Sequence, residues 1–399
     1  MPLDLAALRA HFPSLTTGLA FFDGPGGTQT PRPVADAIAS TLTGPLSNRG
    51  TVSLSELNAE CAVTDFRAAY ADLLNVPANG VVHGRSATQL TYDFSRHLAK
   101  QWRAGDEIVL SRLDHDANVR PWIQAAERAG VTVRWIEIDP ETTELDLDSY
   151  ERVLTPRTRL VAVTAASNVL GTKPPLRRIA DRAHEAGALV YVDGVHYAAH
   201  HLVDVPALGA DLFVCSPYKF LGPHCGVLAA APEFLDTVRP DKLLPSPDTV
   251  PERFEFGTLP YEILAGATAA VDFLAALDPG AGVTRREHLI SSLASVHAHE
   301  VELRARLQEG LESLGDAITL HSKAPDRTPT LLMSLEGRDA REAQEHLAAQ
   351  GVVAPAGSFY AYEPFAALKL DDPALRAGLA PYNSADDVDR FLDGLASFL

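Results

Sequence analysis

The chain has 399 residues, 46% hydrophobic and 22% charged, with a formal charge of −18 from 52 acidic against 34 basic side chains. That length exceeds one compact core, and the composition excludes collagen-like, low-complexity and disordered chains. The acid excess argues against a nucleic-acid or anionic-membrane partner, and three cysteines without paired spacing argue against a disulfide framework or a bound metal.

The amino terminus, Met1-Pro-Leu-Asp-Leu-Ala-Ala-Leu-Arg, has neither the basic start nor the apolar core of a signal peptide. Charge interrupts every apolar stretch well short of a membrane span, so a cytoplasmic location without a membrane partner is expected. Residues 1–30 read as an arm: a short helix, a strand at Leu19–Phe22, and the loop Asp23-Gly-Pro-Gly-Gly-Thr-Gln-Thr-Pro. The glycines and prolines of that loop forbid regular structure and let its backbone approach a ligand closely. Apolar runs at Val81–His83, Glu107–Leu110, Val131–Ile136, Arg159–Thr164, Ala188–Val192, Leu212–Cys215 and Gly226–Ala230 then read as strands, with amphipathic segments between most of them. This alternation predicts an α/β fold with a mostly parallel, doubly wound sheet. The proline-rich stretch from Arg239 to Asp248 is read as a surface excursion. A long helical region is expected from Glu262 to Leu314, followed by a βαβ-like tail closed by an amphipathic helix from Ala385. The divisions expected are the arm at 1–30, a large domain at 31–280 and a smaller α+β carboxy-terminal domain at 281–399.

The chemistry centres on two strand ends. Ala188-Leu-Val-Tyr-Val-Asp193-Gly194 places a carboxylate after one buried run, and Asp211-Leu-Phe-Val-Cys-Ser216-Pro-Tyr-Lys219 places a lysine after the next. Singly, an Asp before Gly is a common turn former and a lysine is usually solvated. Together, at the carboxyl ends of neighbouring strands, they can face one crevice. A lysine that condenses with an aldehyde and a carboxylate that pairs with a pyridinium nitrogen are what pyridoxal phosphate requires. Further upstream, Val81-Val-His-Gly84-Arg-Ser86-Ala87-Thr88 reads as strand, turn and helix start, where Ser86 or Thr88 serves as a cap. The unpaired N–H groups of such a helix start suit a phosphate.

On these residues the chain resembles the class V aminotransferases, close to the cysteine desulfurase and selenocysteine lyase branch. The resemblance implies a fold-type-I pyridoxal-phosphate enzyme that acts on a small amino-acid substrate as a homodimer. It spans nearly the whole chain. It implies that Lys219 holds the cofactor, that Asp193 pairs with the ring nitrogen, and that Ser86, Ala87, Thr88 and Ser216 bind the phosphate. His115, in Asp114-His115-Asp-Ala-Asn, is implied to stack on the ring, and its imidazole can relay a proton near neutral pH. Asn168 and His196 are implied to lie near the ring oxygen, His196 standing where desulfurases usually have glutamine and Tyr218 where they have histidine. Thr258, in Arg253-Phe-Glu-Phe-Gly257-Thr258, is implied to reach the phosphate of the partner subunit. Arg376, in Leu375-Arg376-Ala-Gly-Leu-Ala-Pro-Tyr382-Asn383, is implied to clamp the substrate carboxylate, a task suited to a planar guanidinium.

One departure bears on the reaction. Desulfurases carry a persulfide-forming cysteine on a loop shortly before the arginine strand, and here Gly351-Val-Val-Ala-Pro-Ala-Gly357-Ser358-Phe359-Tyr360-Ala-Tyr362 contains none. Phe359 and Tyr360 are expected to wall the substrate instead. The reading reached from the sequence is a carbon–sulfur lyase acting on cysteine or a cysteine-derived amino acid by β-elimination. The alternatives are an aminotransferase, racemase or epimerase on the same scaffold, and a non-catalytic sulfur-transfer partner.

Overall fold

In a strand, successive side chains point to opposite faces, so a strand covered on both sides must be apolar at every position. The inner strands of this protein's seven-stranded sheet, seen in a computed structural model that describes residues 3–370 and 373–399, are buried at nearly every position, whereas edge strand Thr132–Ile136 is exposed on one face. Met1 and Pro2 of the expected arm and Asp371–Asp372 of the expected small domain lie outside the described residues. After β1 (Ala20–Phe21), the sheet is formed by β2 (Val81–Gly84), β3 (Glu107–Ser111), β4 (Thr132–Ile136), β5 (Thr158–Thr164), β6 (Leu189–Asp193), β7 (Leu212–Cys215) and β8 (Gly226–Ala230). Val161, Val163, Val190, Val192 and Phe213 enter one core, while Leu160, Ala162, Tyr191, Leu212 and Val214 enter the other.

The strand order is β2-β8-β7-β6-β5-β3-β4. All neighbours from β7 to β4 are parallel, and β8 alone runs against its neighbours β7 and β2. The chain winds outward from β3 to β4, then returns to lay β5 on the other side of β3. That reversal is a topological switch point, where the carboxyl ends of strands open a crevice.

The expected single helical region from Glu262 to Leu314 is two helices, Tyr261–Ala275 and Arg285–Ser313. Asp278-Pro-Gly-Ala-Gly separates them, because proline cannot continue a helix and Gly280 adopts φ +60°, a left-handed conformation that costs glycine little. The second helix then restarts with a capping box between Thr284 and Glu287. The carboxy-terminal sheet also differs from the βαβ expectation. Its strands β9 (Ile318–Leu320), β10 (Thr330–Leu335), β12 (Ala356–Gly357) and β13 (Ala374–Gly378) are antiparallel in the order β12-β13-β10-β9. Parallel pairing in this region comes from the amino-terminal arm: β1 pairs with β11 (Val352–Val353), and Asp23 bridges Gly378 of β13. The stretch from Arg239 to Asp248 carries neither helix nor strand, and the final helix spans Ala385–Phe398. Among the described residues no helix is long and apolar enough to cross a membrane.

Candidate active site

Five strand ends contribute to one cavity. It is lined by Ser86, Ala87 and Thr88 after β2, His115 and Ala117 after β3, Thr164, Ala166 and Asn168 at the end of β5, Asp193, Val195 and His196 at the end of β6, and Ser216, Tyr218 and Lys219 after β7. The winding of the sheet brings these residues together, although they span more than a third of the chain.

At one end of the cavity, Ser86 caps the helix Ala87–Ala99 by accepting from Gln89 N–H at 3.1 Å. The first N–H groups of that helix have no intrahelical acceptor and, with the positive end of the helix dipole, form an anion cradle. Gly226 permits this placement. A Cβ there would stand 2.3 Å from Ser86 C and 2.6 Å from Ala87 N, so only glycine lets β8 pass beneath the cap.

At the other end, Asp193 accepts from Val195 N–H at 2.9 Å, and burial pushes its carboxyl up to about 6 against the opposing effect of Lys219. Lys219 lies in a single turn, Pro217–Lys219, and its Nζ donates to Pro25 O. Burial, assisted by the charge of Arg376, lowers the Lys219 ammonium to about 7. This lysine is therefore available as a neutral amine close to neutral pH.

His115 accepts from Ala117 N–H at 3.0 Å through Nδ1, which leaves the ring proton on Nε2. Burial holds its pKa down at about 4. Behind it, Asp114 is fully buried, accepts from Asn118 Nδ2 at 2.7 Å and from Ser111 Oγ, and is pushed by burial to about 8. Trp122 completes the support by donating to Asn118 Oδ1 at 2.9 Å.

Arg376, Phe359 and Tyr360 are not among the cavity-lining residues but adjoin its Asn168 and His115 side. Arg376 Nη1 donates to Asn168 O at 2.9 Å, and its guanidinium lies 3.8 Å from the Phe359 ring centroid. It has no carboxylate ion pair among the described residues, and burial lowers it to about 9 against the opposing charge of Asp23. Phe359 O accepts from Asn168 Nδ2 at 3.1 Å, and Tyr360 O accepts from Asp116 N–H at 2.8 Å. The Tyr360 ring stands 5.7 Å from that of His115 and is 79% exposed. Both loop residues have φ +55°, so the Arg376 side of the cavity is bordered by a strained turn held by side chains and backbone from the large sheet.

Thr258 does not reach the cavity of its own chain. It lines a separate recess with Arg85, Gln89, His224 and Phe256. Sequence reasoning missed Thr164, the Pro25 carbonyl against Lys219, and the buried Asp114 support. The first two had weak signals in a strand end and in a glycine-rich loop; the third had one in its adjacency to His115.

The cavity therefore holds an anion cradle at one end and a buried carboxylate with a neutralisable lysine at the other. His196 Nδ1 and Asn168 Oδ1 have no partner among the described residues. Native proteins seldom leave buried polar atoms unpaired, so these two call for a polar ligand. This donor set fits pyridoxal phosphate.

Comparison with known proteins agrees in kind. Residues 20–391 match the family described as Aminotransferase class-V. The chain is 32% identical, over the full length of both, to the "Uncharacterized protein MT3887" of Mycobacterium tuberculosis. It is 31% identical to a "Probable cysteine desulfurase" of Xylella fastidiosa, covering 98% of this chain and 95% of that one. It is 30% identical to the "Aminotransferase-like protein FGM3" of Gibberella zeae, covering 98% of each. The cysteine desulfurase CsdA of Escherichia coli superposes with a TM-score of 0.87 at 26% identity, covering 98% of this chain and 97% of that one. A cysteine desulfurase from Thermococcus onnurineus NA1 gives 0.88 at 25% identity, with 100% and 98% covered.

Proposed function

Because the chain belongs to the class-V aminotransferase family, whose members use pyridoxal phosphate, we propose that this cysteine desulfurase-like enzyme is a carbon–sulfur lyase acting on cysteine or a cysteine-derived amino acid by β-elimination. Bound pyridoxal phosphate supplies an electron sink for the pair released when the substrate α-carbon loses its proton.

The remaining roles fall to the chain's own residues. Ser86, Ala87, Thr88 and Ser216 hold the phosphate, and Lys219 anchors the aldehyde carbon. Asp193 keeps the ring nitrogen protonated through its carboxylate. His115 covers the ring, and Asn168 and His196 offer it polar atoms. Arg376 clamps the substrate carboxylate, which supplies the anion that this buried guanidinium lacks. Phe359 and Tyr360 wall the β-substituent. With pyridoxal phosphate bound, Lys219 Nζ would take the α-proton of the substrate, and the β-sulfur would leave with its bonding pair and gain a proton. For cysteine the balance is cysteine plus water to pyruvate, ammonia and hydrogen sulfide.

The observation that carries the elimination reading is the absence of a usable thiolate near this site. Cys215 and Cys225 are buried, and burial raises the first thiol well above its usual range and the second to about 12. Cys61 is exposed on the helix Leu54–Leu74, outside the cavity lining. The loop from 351 to 362 has no cysteine. A protein that only passed sulfur to others would have no need of both Asp193 and Lys219 on the cavity wall.

Incubation with a panel of amino acids, following pyruvate, sulfide and alanine together, tests the reading. Equimolar pyruvate and sulfide are expected, and the variant with Cys61, Cys215 and Cys225 all replaced by serine or alanine keeps its rate within a few-fold. Alanine with a persulfide on the protein would return it to the desulfurases. Amino-group exchange with a keto acid would make it an aminotransferase, and inverted substrate a racemase or epimerase.

We further propose a homodimer, working in the cytoplasm, in which Thr258 serves the partner's phosphate. Seven of the twelve large exposed apolar side chains among the described residues fall in two segments, Leu42, Val52, Leu54 and Leu57 in one and Leu243, Leu244 and Phe256 in the other, the second ending two residues before Thr258. Exposed apolar groups clustered in this way mark association surfaces.

A further inference from the structure

His196 is held from behind by two threonines of the carboxy-terminal part of the chain and by its near neighbour His200, which is itself tied to that part. Its Nε2 lies 2.9 Å from Thr328 Oγ1 and 3.1 Å from Thr330 Oγ1. Its ring packs edge to face on His200, with centroids 4.9 Å apart and planes at 72°. His200 Nδ1 in turn lies 3.0 Å from Glu300 Oε2, on the helix Arg285–Ser313. His200 is 3% exposed and Glu300 1%.

Such burial is costly. A carboxyl group removed from water needs a charged or hydrogen-bonding partner, and His200 provides it here, while Glu300 Oε1 has no partner among the described residues. The reaction steps derived above use neither residue, so the arrangement calls for another role.

The ring chemistry of His196 suggests that role. A neutral imidazole accepts at one nitrogen and donates at the other. Taking Thr330 Oγ1 as the donor to Nε2, since Thr328 Oγ1 also reaches Gly171 O at 3.4 Å, puts the ring proton on Nδ1, the atom without a partner among the described residues, on a ring that lines the cavity. Burial, with the charges of His200, Lys219, Arg376 and His201 around it, holds the His196 pKa well below its usual value, so the ring donates without carrying a charge.

We propose that Glu300 is a positioning residue that acts through His200 to hold the His196 ring in place, so that Nδ1–H is offered to the bound cofactor. The arrangement couples the carboxy-terminal helix to the cavity: a shift of that helix is felt at the cofactor through two imidazoles. The proposal rests on pyridoxal phosphate occupying the cavity.

The test uses the reconstituted full chain and two readouts at fixed pH: the dissociation constant for pyridoxal phosphate, and the ratio of the long- to the short-wavelength absorption band of the bound cofactor. Glu300→Leu should weaken binding about three- to tenfold, the scale of one lost hydrogen bond, and change the band ratio. Glu300→Gln keeps an acceptor for His200 and should restore both readouts towards wild type. Glu300→Leu also leaves His200 unpaired and so lowers stability, which makes the double variant Glu300→Leu/His200→Leu, with both partners replaced by apolar groups, the decisive one. A stable double variant with an altered band ratio supports positioning. A stable double variant with wild-type affinity and band ratio overturns it and leaves the pair a packing feature. Wild-type protein that shows no bound-cofactor band after reconstitution overturns the cofactor reading itself, a result distinct from both.

Discussion

Lys219 owes its reactivity to burial. Desolvation disfavours the ammonium, the nearby Arg376 adds to this, and together they outweigh the opposing pull of Asp193, so the group titrates at about 7. The nucleophile is the neutral amine, which dominates above that value. The rate at which the apo-protein captures pyridoxal phosphate should therefore rise with pH through about 7 and level off roughly one unit higher, followed by absorbance after rapid mixing. A rate still climbing above pH 9 would assign the capture to an exposed lysine. Arg376 makes the complementary case, as a buried cation without a carboxylate ion pair among the described residues. Arg376→Ala should weaken substrate binding by about 2–5 kcal/mol, the cost of removing one member of a buried charge pair. Arg376→Lys should recover only part of that loss, because a point charge cannot match the two-pronged guanidinium. The ratio of KM values for the two variants checks this.

At the scale of elements, the cradle depends on how closely β8 passes the helix Ala87–Ala99. Gly226 lies where any Cβ would collide with the backbone of Ser86 and Ala87, and backbone cannot swing aside as a side chain can. Gly226→Ala should displace the helix start and reduce pyridoxal-phosphate affinity by at least about tenfold, or 1.4 kcal/mol, in an absorbance titration. Ser86→Ala removes only the cap. It should lower stability by about 1 kcal/mol in denaturant unfolding, with a smaller effect on affinity than Gly226→Ala. If the two variants bound equally well, the close approach would not set the cradle. The strained turn at Phe359 and Tyr360 is held in the same way by another element: Asn168 and Asp116, from the large sheet, donate to its carbonyls.

For the whole molecule, the expected assembly is a dimer with composite sites. Lys219→Ala and Thr258→Ala chains, each expected to be weak alone, should recover activity when unfolded together and refolded as a mixture. If sites are shared, mixed dimers regain one intact site of two, about a quarter of the wild-type rate for random pairing. Full activity in a sedimenting monomer would remove Thr258 from the site. The two exposed apolar segments, at 42–57 and 243–256, are the surfaces expected to become protected from hydrogen exchange on assembly.

The strands of the large sheet, the placing of Asp193 and Lys219 on one cavity and the helix start at Ser86 were legible in the sequence, because each is written in a short window: a buried apolar run, a polar residue at its carboxyl end, a cap before an amphipathic segment. The missing loop cysteine was legible in the same way. Tertiary structure alone decided the rest. It divided the predicted long helix at Pro279, made the carboxy-terminal sheet antiparallel, and paired β1 with β11 across more than three hundred residues. It also packed His83 and His97 away from the cavity and set His200 behind His196. Pro25 against Lys219, and Glu300 behind His200, are contacts between segments far apart in the chain. Local pattern shows that such residues are buried or polar, but their partners depend on strand order and helix packing, and these emerge only when the whole chain has folded.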